Sequence, residues 1–167
     1  MSMIFEWIRA VVALPFTVLV VIPAIALYFT GYGWTPSAPI LLCAGGIFLV
    51  VGLLMAAWTM QLFDRDGEGT AAPWAPPRKL VVAGPYRYVR NPMIGSVLLM
   101  LMAEALLLRS GVVLSLFFLF LVGNAIYFPF FEEKGLEKRF GQEYLDYKRN
   151  VPRWIPRLTP WKSETHD

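Results

Sequence analysis

Residues 80–94 read LVVAGPYRYVRNPMI and residues 132–158 read EEKGLEKRFGQEYLDYKRNVPRWIPRL, and between them Gly95–Phe131 is almost pure hydrocarbon. Two polar, aromatic-rich segments therefore flank an apolar hairpin, which places a dense set of ligand-binding side chains at one membrane face. The whole chain fits that reading. Of its 167 residues, 57% are hydrophobic and 16% charged, with a mean hydropathy of +0.54. A soluble domain carries about a quarter charged residues.

A helix needs about 20 apolar residues to cross a bilayer. Ala10–Phe29, Ile40–Gln61, Pro92–Leu108 and Val112–Phe131 reach or approach that length, the third being the shortest that serves. No block alternates with a period of two, so helices are expected rather than a barrel. Pro15 and Pro23 should bend the first helix. Ala24-Ile25-Ala26 resembles a signal-peptide cleavage site, but the apolar run exceeds the usual length and one Glu accompanies the leading Arg; a retained helix is expected. Residues 62–83 read as a linker, because Gly67, Gly69, Pro73, Pro76 and Pro77 forbid a continuous helix. Asp64, Asp66 and Glu68 lack the later Glu of a calcium loop, so they read as a solvated turn.

Lys and Arg placement sets the expected orientation. Arg65, Arg78, Lys79, Arg87 and Arg90 lie between the second and third blocks. Eight more follow the fourth: Lys134, Lys138, Arg139, Lys148, Arg149, Arg153, Arg157 and Lys162. The opposite side holds Arg109, in a tight Arg109-Ser110-Gly111 turn, and the uncharged loop Thr30–Pro39. Both termini and the 62–91 loop are thus expected in the cytoplasm, and the setting expected is a bacterial inner membrane. The net charge of +3 on that face suits anionic lipid headgroups. No nucleic-acid signature is present. Cys43 stands alone, which excludes a disulfide within the chain, and reads as an apolar filler. No metal site is expected. His166, the one histidine, sits in a polar tail. Gly31-Tyr32-Gly33 is a loop between apolar blocks and no dinucleotide fingerprint. Glu104 lies inside the third block; an intramembrane acid is a functional candidate by default, but its position away from the polar segments and near Arg109 favours a structural pair or a helix-packing role.

Leu136, Phe140, Tyr144 and Tyr147 recur at steps of four, four and three, so residues 133–149 should form an amphipathic helix able to lie along the interface. Gly135 and Gly141 weaken its propensity. Pro152 and Pro156 then end helical structure.

The residues Gly84, Pro85, Tyr86, Arg87, Arg90, Asn91 and Pro92, followed after the hairpin by Glu132, Glu133, Leu136, Phe140, Gly141, Tyr144, Tyr147, Val151, Pro152, Ile155 and Pro156, form a recognisable pattern. It resembles that of the integral membrane methyltransferases related to isoprenylcysteine carboxyl methyltransferase and phospholipid N-methyltransferase: G-P-Y-R-x-x-R-(H/N)-P, a helical hairpin, then E-E-x-x-L-x-x-x-F-G-x-x-Y-x-x-Y-x-x-x-V-P-x-x-I-P. The resemblance covers residues 78–158. It implies an all-α polytopic membrane protein in a single domain, about four transmembrane helices with a C-terminal amphipathic helix over a cytoplasmic cofactor site. It also implies S-adenosyl-L-methionine as methyl donor and a lipidic or hydrophobic acceptor drawn from among membrane lipids.

Within that resemblance Glu132 and Glu133 are candidates for the donor's ammonium, with the first of the pair making the contact. The bland alternative is that two carboxylates mark the helix exit. Arg87 and Arg90 either bind a carboxylate or phosphate in a forked geometry or anchor to headgroups. Asn91 stands where many relatives have His. It suits an N-cap before Pro92, and it cannot titrate, which removes a proton-transfer role there. Tyr86, Tyr88, Trp74 and Trp154 offer aromatic faces, Tyr86 foremost because it lies inside the pattern. Leu80 and Val81 match the backbone that lines the adenine side in relatives, and Tyr144 completes the candidate set. No catalytic residue or general base is identified. Phe128 occupies the position at which prenylcysteine enzymes carry an Arg for the substrate carboxylate, which turns the expectation toward amino-lipids or another lipophile. A membrane scaffold or partner subunit, or a nicotinamide-dependent membrane reductase, are the competing readings.

Overall fold

The computed structural model describes residues 12–33, 35–69 and 77–162, with side chains from Pro15 onward. Trp74, Pro73, Pro76, His166 and the start of the first apolar block at Ala10 fall outside them. Among the described residues every regular element is a helix. Helix α1 begins as π-helical turns over Val12–Val21 and continues as α-helix through Ile22–Phe29. Helix α2 is Pro39–Arg65, α3 is Pro92–Leu107 and α4 is Gly111–Tyr127. A π-helical turn, Phe128–Glu132, leads into α5, Glu133–Asn150. Both wide turns contain a proline, Pro15 and Pro129. Proline lacks an N–H and its ring collides with the carbonyl four residues back, and widening the turn relieves both.

Two helices, Pro39–Arg65 and the continuous Gly111–Asn150, are long and apolar enough to cross a membrane, while Pro15–Phe29 and Pro92–Leu107 are shorter apolar helices. Helices α2 and α3 pack at very close range. A Cβ at Gly52 would lie 2.8 Å from Met100 Cγ and 3.1 Å from the Ser96 carbonyl, and one at Gly45 would lie 2.7 Å from Leu107 Cγ. Ser96 and Ala103 on the facing side are fully buried. Small residues at such a crossing let backbones approach where lipid supplies no hydrophobic drive between helices. The remaining faces leave Ile47, Leu54, Leu119, Val122 and Phe130 exposed, apolar surface of the kind that suits lipid.

The structure redraws several boundaries. Helix α2 runs on to Arg65 rather than stopping near Gln61, so the linker begins later; Leu62, on this added turn, is buried against Val81 and Tyr86. The fourth apolar block does not end at the membrane face but continues as helix to Asn150, because the turn at Pro129 widens instead of breaking. Glu104 and Arg109 form no ion pair among the described residues. Arg109 is exposed and takes φ +51° in the turn between α3 and α4. There Ser110 caps α4, accepting from Val113 N at 3.3 Å. The Ser37 hydroxyl donates to the carbonyl of Leu107 at 2.9 Å, and that of Tyr32 to the carbonyl of Leu108, so loop 30–38 satisfies the end of α3. Asn91 holds the N-cap position of α3, but its side chain accepts no bond from the helix.

Helix α5 is kinked. Gly141 has φ +56° and ψ −129°, a combination closed to residues with a Cβ. The expected stripe is therefore bent rather than straight, yet its members still converge. Tyr144 and Tyr147, after the kink, are buried with Val151 against Leu136 and Phe140, before it, and against Leu80 and Val82. Gly141→Ala should lower stability by about 1–3 kcal/mol through backbone strain alone, since no atom crowds the site of the new methyl. Thermal denaturation in detergent measures this; an unchanged midpoint would show that the kink is not enforced by its surroundings.

Candidate functional site

The segment before α3 folds back onto the end of α2. Arg78 N donates to Gly67 O at 2.8 Å, and Tyr86 packs edge-on against Phe63 with ring centroids 5.5 Å apart. Gly84, at φ +52°, lies so close to Leu62 and Trp58 that a Cβ would sit 2.9 Å from each. It opens a 3₁₀ turn, Gly84–Arg87, that buries Tyr86. Helix α5 meets this turn from the other side, where the Tyr147 hydroxyl donates to Tyr86 O at 2.7 Å. The chain after α5 then runs beside residues 87–90. Arg90 N donates to Pro152 O at 2.9 Å, Arg157 N to Tyr88 O at 3.0 Å and Trp161 N to Arg87 O at 3.0 Å.

These elements enclose a cavity of about 340 Å³, within the range of small-molecule sites. Its lining includes Met93 and Ile94 of α3 and Phe128 and Phe131 of the wide turn, all apolar. Arg90, Asn91, Glu132 and Tyr144 bring polar groups to the same lining. Leu80, Val81 and Tyr86 complete the wall contributed by the segment before α3.

The two adjacent glutamates have different surroundings. Glu133 is 3% exposed. Its Oε1 accepts from Arg90 Nη1 at 2.9 Å and from Arg153 Nε at 2.8 Å, and its Oε2 lies 2.9 Å from Lys148 Nζ. Burial by itself would raise the Glu133 carboxyl, but Lys148, Arg90 and Arg153 together hold it below the usual carboxylate value. Glu132, by contrast, is exposed at the cavity wall and makes no ion pair among the described residues. Partial desolvation raises its carboxyl, and the more distant Arg139 pulls the other way. Two donors of residues that line the same cavity are unspent: Arg90 Nε and Asn91 Nδ2 are buried without a hydrogen-bond partner. Buried donors left unpaired cost about 1–3 kcal/mol each, so a ligand that satisfies them gains by binding there.

The cavity thus brings together Leu80, Val81, Tyr86, Arg90, Asn91, Glu132 and Tyr144 from the sequence candidates. Glu133 and Arg87 are placed off its wall: Glu133 is enclosed by cations, and Arg87 Nε donates to Trp161 O at 2.8 Å. Tyr88 and Trp154 are also outside it. Sequence reasoning missed Arg153, Lys148 and Tyr147 as parts of the site. Arg153 directly follows the Pro152 that ends α5, and Lys148 lies fifteen positions beyond Glu133 across a kink, so helical spacing does not connect them. The apolar wall was also missed, although Phe128 had been noted for the Arg it replaces.

A family model described as phospholipid methyltransferase matches residues 39–143, well over half of the chain. The chain belongs to the phospholipid methyltransferase family. By family it is a methyltransferase and a membrane protein, in keeping with its apolar helices. Searches of curated proteins and of solved structures return no match.

Proposed function

We propose that the protein transfers a methyl group from S-adenosyl-L-methionine to a lipidic acceptor at the cytoplasmic face of a bacterial inner membrane, with four helical spans and both termini inside. The observation that carries the reading is what lines the cavity: Glu132, a carboxylate with no ion pair among the described residues, and Arg90 and Asn91, whose Nε and Nδ2 are unsatisfied buried donors. An amino acid head group needs that complement, an acid for its ammonium and donors for its carboxylate. The residues present therefore fit the donor. The family match favours methyl transfer over the scaffold and reductase readings.

When bound, the donor supplies a methyl carbon already activated by its sulfonium. The chain's part is binding, orientation and exclusion of water. Glu132 accepts the ammonium hydrogens. Arg90 and Asn91 donate to the carboxylate, and the tyrosines of the wall present aromatic faces to the cation. Met93, Ile94, Phe128 and Phe131 supply apolar lining, which suits the hydrocarbon of an acceptor entering sideways between α3 and α4. With Phe128 in the wall and no Arg in its place, a prenylcysteine carboxylate lacks its counter-ion, so the acceptor is assigned to lipids of another head group. Calorimetry on the purified protein tests the donor: saturable binding of S-adenosyl-L-methionine supports the reading, and absence of binding at millimolar donor overturns it.

A further inference from the structure

Glu133 presents a puzzle of its own. At 3% exposure it is among the buried residues of the described chain, yet it does not line the cavity. Its carboxylate instead gathers three cations from three parts of the sequence: Arg90 from before α3, Lys148 from the far side of the Gly141 kink and Arg153 from the tail. Lys148 also pairs with Glu137 at 2.6 Å. Three cations thus face two carboxylates, and the cluster keeps one positive charge in excess. Of the three cations, Arg90 lines the cavity; its side chain is 10% exposed and its Nε is unpartnered. The tail holds Arg90 twice, because Pro152 O accepts from its backbone N–H and the next residue, Arg153, shares its carboxylate.

We propose that Glu133 is a positioning residue and not a donor ligand: it fixes the Arg90 guanidinium so that its free N–H and the surplus positive charge meet the carboxylate of the donor, and it makes the 151–162 tail, through Arg153, part of the donor site. This inference rests on the donor reading above. The physical reason is the length of arginine. Its stem has about 2 kcal/mol of rotamer freedom, and a fork held by one Nη leaves Nε in a fixed direction. A neutral residue at 133 would release the stem and leave Arg90 beside two other cations with no common counter-ion.

Two probes separate positioning from mere folding. One is S-adenosyl-L-methionine; the other is its decarboxylated form, which keeps the sulfonium, ribose, adenine and amine but lacks the carboxylate. Calorimetry on the full-length protein in detergent would compare the unaltered chain with E133Q and R153Q. E133Q should bind the full donor about tenfold or more weakly, the scale on which partners behind a ligand-holding side chain act, and bind the decarboxylated probe nearly as the unaltered chain does. R153Q, which removes one limb and leaves the Arg90–Glu133 pair, should show the same selectivity with a smaller loss, and carries the test if E133Q does not fold. Equal losses for both probes, or no loss for either, would overturn the positioning role. Failure of the unaltered chain to bind either probe would instead overturn the donor reading beneath it.

Discussion

Glu133→Ala is expected to destabilise the protein by about 3–5 kcal/mol, the cost of removing one partner from a buried ionic cluster. The size follows from what remains: Arg90, Lys148 and Arg153 would be left close together, and Arg90 is nine-tenths buried. A contrasting variant sets the scale. Glu137 pairs with Lys148, and both side chains are one-third exposed, so Glu137→Ala should cost less than about 1 kcal/mol. The pH dependence has a defined sign. The Glu133 carboxyl lies below its ordinary 4.5 in the folded chain, so its contribution is present above that value and fades as pH falls through the folded value. The Lys148 amine, held by Glu137 and Glu133, lies above its ordinary 10.5, so its contribution is present below that value and fades as pH rises through the folded one. The gap in melting midpoint between the unaltered chain and Glu133→Ala, read in detergent, should thus stay level through neutral pH and narrow at both ends. Equal midpoints for the Glu133 and Glu137 variants would show that the cluster is not the anchor described.

Glu132→Gln is expected to act on binding and spare the fold. The side chain is exposed and has no ion pair to lose among the described residues, so the melting midpoint without ligand should stay near that of the unaltered chain. A hydrogen bond between charged groups is worth about 1.5–3 kcal/mol, which corresponds to about 10- to 150-fold in affinity for S-adenosyl-L-methionine. Calorimetry with the unaltered chain and the variant side by side measures it. Unchanged affinity in the variant would remove Glu132 from the donor site.

Much of this was legible in the sequence because apolar run length and charge placement are local properties. The apolar helices α2 and α3, the hairpin turn at Ser110 and the end of α5 before Pro152 all follow from such signals. The pairing of Gly84–Asn91 with Glu132–Tyr144 was legible through the family pattern, and the cavity brings members of both segments together. What escaped depends on direction. Glu132 and Glu133 are equivalent as letters, but neighbouring positions on a helix face about 100° apart, so one reaches the cavity and the other the cations behind it. The wide turn at Pro129 kept the helix continuous where an apolar-to-polar change had implied a stop. The Gly141 backbone allows Tyr144 and Tyr147 to join Val151 beneath the segment before α3. Asn91 carried a good capping signal, yet its side chain makes no cap bond and its amide remains unspent beside the cavity.

Methyl transfer itself can be followed by transfer of label. Purified protein would be reconstituted in vesicles of bacterial lipid extract and incubated with methyl-labelled S-adenosyl-L-methionine, alongside the Glu132→Gln variant and a separate reaction offering a prenylcysteine analogue. The account predicts time-dependent label in the organic-extractable lipid, a strong reduction in the variant, and no saturable labelling of the analogue. Lipid that stays unlabelled while the donor binds, or efficient and saturable methylation of the analogue, would contradict it.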